Sequence, residues 1–216
     1  STFNLTMTSQ EGVLITKTIS KLKDNEKNRS FTIQDIQHEL AKDPHSSNEI
    51  KNLVNSLFQA ANSWGVFSKQ TDGTSIVDLV KAGKTTVLDL SVYSSIGSFN
   101  VRALIIGLVS RKLFTSRMDA RKREEMQALQ HGTEYMSYSM TRQLPLTWLF
   151  IDEAHEFLPR ESKTPATEAL VQILREGRQP GISLVLATQQ PGQIHKDVMT
   201  QSDIVLSHKV TSQQDV

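Results

Sequence analysis

Residues 148–153 decide the fold class, because they read Trp-Leu-Phe-Ile-Asp-Glu, four apolar side chains followed at once by two acids. A strand buried in a sheet cannot hold charge along its length, so carboxylates appear where the strand leaves the core. In open α/β sheets the ligand binds at this carboxyl end of the strands. The stretch therefore predicts a buried strand that presents Asp152 and Glu153 to a ligand-binding edge.

Two carboxylates at such an edge suit phosphoryl transfer. Asp152 is the candidate for holding a Mg²⁺ shell, and Glu153 is the candidate for orienting or deprotonating the attacking water. A strand end with two solvated acids is the alternative interpretation, and the motif by itself leaves both open.

Other apolar runs place this strand in an α/β pattern. Strands are predicted over residues 86–90, 146–151, 182–187 and 204–206. Helices between them are predicted over 98–116, with a solvated continuation over 118–129, and over 166–174, with Thr164 as N-cap, Pro165 at the first position and Gly177 past the end. Apolar strands that alternate with helices predict a parallel sheet covered on both faces.

The first third of the chain reads as short helices. They are predicted over residues 14–22, 33–41, 50–64 and 75–81. Thr32 is the expected N-cap of the second helix, and Ser46 with Glu49 forms a capping-box pattern before the third. We therefore expect a helical subdomain over 1–82, in front of an α/β part over 83–216.

Three later positions carry residue types that a nucleotide site uses. Arg178 lies in a Gly- and Pro-bounded turn between a helix and a strand, from which it could reach a neighbouring subunit's γ-phosphate; a cation that satisfies the helix dipole is the alternative. Gln189 follows the strand at 182–187, where its amide could bind γ-phosphate or the lytic water, or merely cap the strand exit. Lys209 could touch phosphate, although a lone lysine at a strand end is more often only solvated.

The composition restricts the class of protein. The chain has 216 residues, 38% hydrophobic and 22% charged, which suits a globular domain with its own core. The net charge of +1 means that any contact with nucleic acid must come from local clusters. The chain has no cysteine, no apolar run near the ~20 residues that span a bilayer, and no signal-peptide pattern at its start. We expect a cytoplasmic protein with no membrane partner, and a fragment cut at both ends.

Three stretches together resemble the HerA-type ATPases, within the HerA/FtsK group of ring-shaped DNA motors. They are LFIDEAHEFLP (149–159), LVQILREGRQPGISLVLATQQP (170–191) and IVLSHKVTSQQD (204–215). The combined string REGRQPG…LATQQP is much more specific than the acidic motif alone. The strand at 86–90 and its helix fit the same core less specifically, and the helical first third matches only as a variable insertion.

The resemblance implies a RecA-like P-loop NTPase core, a homohexameric ring, and translocation on duplex DNA driven by ATP with Mg²⁺. It implies Asp152 for magnesium, Glu153 as catalytic base, Gln189 as a sensor that also contacts nucleotide, and Arg178 as an arginine finger that acts on the adjacent subunit. A NurA-type nuclease, a partner in DNA end resection and repair, is implied too.

This sequence departs from such ATPases in one respect: it holds no stretch with the full pattern of their phosphate-binding loop. Gly83-Lys84-Thr85 is the only Gly-Lys-Thr triplet, but Asp78 stands five residues before Gly83, where the loop needs glycine. The triplet also precedes a predicted strand, whereas the loop must open a helix. We interpret it as a chance match, expect the true loop upstream of Ser1, and expect this fragment alone to be inactive.

Two other functions fit part of the sequence. Asp152-Glu153-Ala154-His155 spells the DEAH box of monomeric, mainly RNA-directed helicases, although ATQQP stands where their Ser-Ala-Thr motif is expected. Residues 31–80, with a hairpin over 65–76, could form a non-enzymatic winged-helix-like nucleic-acid-binding module, but their mixed charge argues against a phosphate-tracking face.

Two basic residues and the histidines complete the candidate list. Arg160 and Lys163, in the loop after the acids, are modest candidates for DNA contact, with plain solvation as the alternative. His155 near the two acids suggests a metal triad, but two ligands do not close a zinc site and no third is evident.

Overall fold

The computed structural model describes residues 5–25, 30–70, 73–93, 101–131 and 144–208, although the side chains of Asn25, Gln130 and His131 are left undescribed. The chain divides into two compact units. One comprises Ser1–Thr74 with Leu90–Val101, and the other Ser75–Asp89 with Arg102–Val216. The predicted division into 1–82 and 83–216 stays a prediction.

The first unit is a packed trio of helices. They are α1 (Gln10–Asn25), α2 (Ile33–Ala41) and α3 (Asn48–Ser63). The apolar side chains of Leu14, Leu40 and Val54 meet in its core, and each is at most 2% exposed. Burial of such a face, rather than helix propensity, stabilises helices of this length.

The ends of α2 and α3 follow the cap chemistry that their sequences offer. Thr32 caps α2 in a full capping box with Asp35, as predicted for the N-cap. The cap of α3 is Ser47, whose hydroxyl accepts from the Ile50 amide at 3.4 Å. The prediction of Ser46 as this cap was therefore wrong by one residue. The Ser46 amide instead donates a hydrogen bond to Asp43 Oδ2 at 2.9 Å, in the turn before the helix.

Ion pairs cover the surface where α1 meets α2. Lys17 Nζ lies 2.6 Å from Asp43 Oδ1, while Glu39 pairs with both Lys21 and Lys42. The hydrogen bond from Lys17 holds the pKa of the Asp43 carboxyl well below its usual range. Those from Lys21 and then Lys42 lower the pKa of the Glu39 carboxyl.

These lowered pKa values predict an acid-labile helical unit. Because the folded carboxyls bind protons more weakly than the unfolded ones, their stabilisation is present above about pH 4 and is lost as pH falls below it. We expect the free energy of unfolding to fall progressively as the pH is lowered from about 5 to about 2, with most of the loss below about pH 3, and Lys17→Met to flatten that fall. Urea unfolding followed by the fluorescence of buried Trp64, in a Trp148→Phe background, measures it.

The control for this prediction is Lys23→Met, the same change at an exposed position of α1. It should leave the pH dependence unchanged. Equal slopes for the Lys17→Met and unmodified chains would contradict the assignment to Asp43.

The second unit is mixed α/β. Its elements are α4 (Ile76–Leu79), α5 (Val101–His131), β1 (Thr147–Ile151), α6 (Thr167–Glu176), β2 (Ile182–Leu186) and α7 (Lys196–Gln201). Strands β1 and β2 are parallel, with Thr147 opposite Ile182 and Ile151 opposite Leu186. Because the two strands are parallel, their carboxyl ends lie at the same edge of the sheet. The turn that follows α6 leads into β2 and therefore lies at the opposite edge.

The core of this unit lies between the sheet and α5, α6 and α7. One cluster, around Ala154, Leu158 and Leu170, packs beneath the carboxyl edge of the sheet, and a second joins Leu113 of α5 to Ile182 of β2. Gly107 lets α5 approach closely, since a Cβ there would lie 2.6 Å from the carbonyl oxygen of Pro165. The end of β1 that carries Asp152 and Glu153 is therefore packed against the hydrophobic core.

Several predicted elements are confirmed and others are wrong. Strands β1 and β2 form where predicted, and α5 is one helix that includes the charged continuation. Residues 86–90 and 204–206 form no strand, and Val87 and Leu206 are 82% and 93% exposed. Among the described residues no strand pairs with either segment, and an apolar run without a paired strand is not itself a strand.

Two further corrections concern α6 and the sheet faces. Helix α6 starts at Thr167 with Ala166 as N-cap, two residues later than predicted, because the Thr164 hydroxyl accepts from the Ala166 amide in a preceding turn. The sheet is covered on one face only within the described residues: Trp148 and Phe150, on the other face, are 65% and 69% exposed.

Candidate functional site

The two acids leave β1 directly beside the end of β2. The Ala187 amide donates to the carbonyl of Ile151 at 2.9 Å, and the Ala154 amide donates to the carbonyl of Ala187, also at 2.9 Å. These bonds continue the strand pairing past both strand ends. Asp152 and Glu153 are thereby held next to the residues that follow β2.

Glu153 has an unusual backbone conformation. Its φ is 49° and its ψ is 44°, and it is the one non-glycine residue with positive φ among the described residues. A left-handed conformation costs a residue with a Cβ of the order of 1–2 kcal/mol. The flanking bonds hold it there: the Ala154 amide is fixed to β2, and the Glu153 carbonyl accepts from the Glu156 amide in a single 3₁₀ turn. Strain of this kind concentrates at functional sites.

The Glu153 carboxylate is held from the neighbouring strand. Gln189 Nε2 donates to Glu153 Oε1 at 2.5 Å, so the predicted base and the predicted sensor are in direct contact. The other oxygen, Oε2, is buried and has no hydrogen-bond partner among the described residues, with His155 Nδ1 at 3.5 Å. One carboxylate oxygen is thus engaged, and the other is an unused acceptor.

The sequence pattern did not predict the role of Thr188 in this site. Its hydroxyl lies 2.9 Å from His155 Nδ1 and also accepts from the Gln190 amide at 3.1 Å. His155 therefore links the 3₁₀ turn after Glu153 to the loop after β2. The signal available in the sequence was the position of His155, two residues after Glu153. Among the described residues, no group of three His, Cys, Asp or Glu side chains is arranged to hold a metal ion.

Asp152 is the exposed member of the pair. Its Oδ1 accepts from the amide of Glu153 at 2.9 Å, which orients the carboxylate at the strand exit. An exposed carboxylate fits magnesium, which keeps most of its waters and takes only one or two protein carboxylates together with substrate phosphates. The carboxylate oxygens of Asp152, with those of the adjacent Glu153, are donors of the kind that suits magnesium.

Arg178 stands at the opposite edge of the sheet from this group. It is exposed in the turn between α6 and β2, separated from the acids by the length of a five-residue strand, about 16 Å. The structure therefore brings together Asp152, Glu153 and Gln189, and it keeps Arg178 away from them.

A second loop closes beside the acidic strand end. Pro159 pairs with Ile194 in an antiparallel bridge, and the Arg160 amide donates to the carbonyl of Gln193 at 2.8 Å. The Arg160 guanidinium reaches the carbonyl of Gly192 at 3.3 Å, while Lys163 is exposed. Both basic residues are accessible, and their contact with DNA stays a prediction.

The Gly-Lys-Thr triplet is not a phosphate-binding loop in the structure. Gly83 lies in a turn with φ 69°, and the residues that follow it, up to Leu90, form neither helix nor strand. A phosphate loop opens a helix whose amides face the phosphates. Lys209, the other predicted phosphate contact, lies outside the described residues.

Comparison with known proteins assigns the chain. The family described as zonular occludens toxin (Zot) matches residues 100–213, more than half of the chain. The chain belongs to the Zot family. This is a family of P-loop ATPases, so the α/β unit with its parallel β1–β2 pair has the P-loop NTPase fold that the resemblance implied. Nucleotide use follows from the family at that general level.

Curated relatives of this Zot-family chain carry the name HerA, which confirms the resemblance drawn from the motifs. A protein of Pyrococcus furiosus named DNA double-strand break repair helicase HerA is 22% identical over 180 residues, 78% of this chain and 32% of the relative. A protein of the same name from Sulfurisphaera tokodaii is 26% identical over 192 residues, 86% of this chain and 35% of the relative. In Methanocaldococcus jannaschii, the similar protein is named "Probable DNA double-strand break repair helicase HerA"; it is 37% identical over 67 residues, 31% of this chain and 13% of the relative.

The chain spans about a third of the length of the relatives from Pyrococcus furiosus and Sulfurisphaera tokodaii. Among the described helices of this Zot-family chain, none combines the length and apolar character that a bilayer span requires.

Proposed function

We propose that this chain carries the water-activating part of an ATP-driven DNA translocase, in which ATP hydrolysis moves the protein along DNA during repair of broken ends. The contact between Glu153 and Gln189 carries the proposal. It joins the carboxylate of Glu153, whose backbone is in the left-handed conformation, to the amide of Gln189 after the next strand, at the edge where α/β sheets bind ligands.

Within this proposal Glu153 is the general base. Its side chain is 36% exposed, so a water can reach the carboxylate, and Oε2 has no hydrogen-bond partner among the described residues, which leaves the carboxylate capacity to accept the proton of an attacking water. A base held rigidly in place gains from proximity, because it avoids the entropy of being positioned during the reaction. Gln189 and the left-handed backbone provide that rigidity.

Asp152 holds magnesium in the proposal, and Gln189 is the sensor. Bound magnesium supplies charge neutralisation of the phosphates and a fixed orientation for them. Gln189 already donates to Glu153 and lies after β2, so a γ-phosphate beside it would compete for the same amide. Loss of that phosphate would then be transmitted to the base through one hydrogen bond.

Arg178 is proposed as an arginine finger that acts on the next subunit. The opposite-edge position of Arg178 favours this, since a finger in cis would have to cross the full length of β2. A ring is the assembly in which one edge of each subunit faces the other edge of its neighbour, as heterologous interfaces require. We propose a homohexamer, duplex DNA as the track, and a NurA-type nuclease as partner, as the resemblance to the HerA-type ATPases implies.

The DEAH alternative loses support from the residues around its motif. In the structure Glu153 bonds to the glutamine of ATQQP, and the curated relatives are named as HerA helicases. The winged-helix alternative needs a hairpin over 65–76. The described residues of that range form no strand, and Ile76 begins α4.

Stimulation of ATP hydrolysis tests the proposed function. With the full-length protein we expect duplex DNA to raise the steady-state ATPase rate severalfold, and we expect this stimulation to fall as salt is raised, because phosphate contacts release counterions. Single-stranded DNA and RNA of the same length are the comparison nucleic acids. Stimulation by RNA alone, from a monomer, would support the DEAH alternative and contradict the proposal.

The same assay examines the proposed DNA contacts. The double variant Arg160→Ala and Lys163→Ala is expected to reduce stimulation by duplex DNA while the DNA-independent rate is kept. Lys196→Ala, the same type of change at the start of α7, is the matched control. Unchanged stimulation in the double variant would leave solvation as the role of both residues.

A further inference from the structure

Arg117 is the most deeply buried charged side chain among the described residues, and the proposed function does not use it directly. It lies on α5 and has no exposed surface. Its Nε donates to the carbonyl of Pro180 at 2.8 Å, and its Nη1 donates to the carbonyl of Leu144 at 2.5 Å and to Glu124 Oε1 at 3.2 Å. One guanidinium therefore joins three segments: its own helix α5, which also carries Glu124, the residues before β1, and the turn before β2.

Two of those segments form the amino-terminal edge of the sheet. Leu144 precedes β1, and Pro180 lies in the turn that precedes β2. The carbonyl of Gly181 also accepts from the Thr147 amide at 3.1 Å, so the turn is tied both to the first residue of β1 and, through Arg117, to the segment before it. This is the turn that carries Arg178.

The turn has little freedom of its own. Gly177 and Gly181 bound it, and a Cβ at Gly177 would lie 2.5 Å from the carbonyl oxygen of Ile173. Gly181 has φ 77°, and a Cβ there would lie 2.3 Å from Leu146 Cδ2. Pro180 is fully buried, whereas Arg178 is exposed. The base of the turn is therefore fixed in the protein while its one arginine side chain faces outward.

Stability alone does not account for a buried arginine at this place. Removing a guanidinium from water is expensive, and well-packed apolar residues of similar volume often stabilise a protein as well or better. The cost is not fully recovered here, since Arg117 Nη2 has no hydrogen-bond partner among the described residues. What an apolar side chain cannot do is hold two carbonyls at fixed directions with a planar, always charged donor group.

We propose that Arg117 is a positioning residue for the arginine finger: from inside the protein it sets the conformation of the 177–181 turn, and so the place of Arg178 at the neighbouring subunit's nucleotide. This inference rests on the proposed function of Arg178. It predicts that Arg117 affects the chemical step and not ATP binding by its own subunit, because the Asp152–Glu153 site lies at the other edge of the sheet.

Arg117→Gln in the full-length protein is the first test. A misplacement of about 1 Å can cost about 10²-fold in rate, so we expect kcat to fall by about that factor while KM for ATP stays close to its original value. Arg117→Lys keeps a charge for Glu124 but lacks the planar fork whose Nε and Nη1 donate to the two carbonyls in fixed directions, so it should show the same pattern. Arg111→Gln, the same change at an exposed position of α5, should leave both constants unchanged.

Mixing experiments separate positioning from general damage. In a ring, an Arg117→Gln subunit still supplies an intact Glu153, and a Glu153→Gln subunit still supplies an intact finger. Mixing these two inactive proteins is therefore expected to restore turnover, whereas mixing Arg117→Gln with Arg178→Ala is not. A variant damaged throughout would be rescued by neither partner, which would overturn the inference.

Gly181→Ala tests the same turn without touching Arg117, in case the Arg117 variants fold poorly. Its Cβ would press on Leu146, and its rescue pattern should match that of Arg117→Gln. If Arg178→Ala is inactive but both turn variants have normal kcat, only the Arg117 inference is wrong. If Arg178→Ala itself is fully active, the proposed finger and this inference both fall.

Discussion

Replacing Glu153 by glutamine in the full-length protein is expected to lower the rate of ATP hydrolysis by about 10²–10⁴-fold, the range that a positioned general base contributes. ATP binding should persist, because Asp152 and the phosphate contacts are untouched. Single-turnover hydrolysis of radiolabelled ATP, beside equilibrium binding of a fluorescent ATP analogue, measures the two effects separately.

The choice of glutamine makes this test sharp. A side-chain amide has the size of the carboxylate and can still accept the hydrogen bond from Gln189, so the left-handed backbone at 153 and the fold should be kept. It cannot take a proton from water. Glu161→Gln, the same change at an exposed position of the loop after the site, is the matched control and should hydrolyse ATP normally. A Glu153→Gln protein with near-normal turnover would show that another group is the base.

The carboxyl edge of the sheet was predictable because its chemistry is local in sequence. Four apolar residues before two acids predict a strand exit, and an apolar run before Gln189 predicts another. Parallel connection through α6 then requires that both exits share one edge. The contact between Glu153 and Gln189 follows from that topology, although the sequence contains no direct signal for the bond itself.

The support of the site was not predictable for equally physical reasons. The left-handed conformation of Glu153 opposes the intrinsic preference of the residue, and it is imposed by hydrogen bonds from a strand more than thirty positions away. The link from His155 to Thr188 is also long-range. Arg117 reads as one more charge on a polar helix, and only the fold shows that its position faces inward.

The wrong strands illustrate a different limit. Residues 86–90 and 204–206 have the apolar pattern of buried strands, but a pattern of side chains predicts burial and does not supply the neighbouring backbone that a strand must bond to. Both segments are exposed in the structure. The same limit applies to Trp148 and Phe150. The sequence shows that β1 is apolar on both faces, but the described residues pack against only one face of the sheet, so these two side chains are exposed.

Arg178→Ala is expected to reduce ATP turnover by about 10³–10⁵-fold, the factor associated with an arginine finger in phosphoryl transfer. Because the Arg178 side chain is exposed, the fold and ATP binding should be unchanged. Lys196→Ala, which removes an exposed cation at the start of α7, is the control for a general loss of positive charge. Steady-state hydrolysis with saturating ATP measures the effect.

The decisive form of this experiment mixes Arg178→Ala with Glu153→Gln. If the finger acts on the adjacent subunit, about one interface in four of a randomly mixed ring pairs an intact Glu153 with an intact Arg178, so two inactive proteins should together recover about a quarter of the original turnover. The double variant mixed with either single variant forms no complete interface and should recover none. Absence of recovery in the first mixture, with both proteins shown to co-assemble, would mean that Arg178 does not act across a subunit boundary, and the position of Arg178 at the far edge of the sheet would then serve only the C-terminal end of α6.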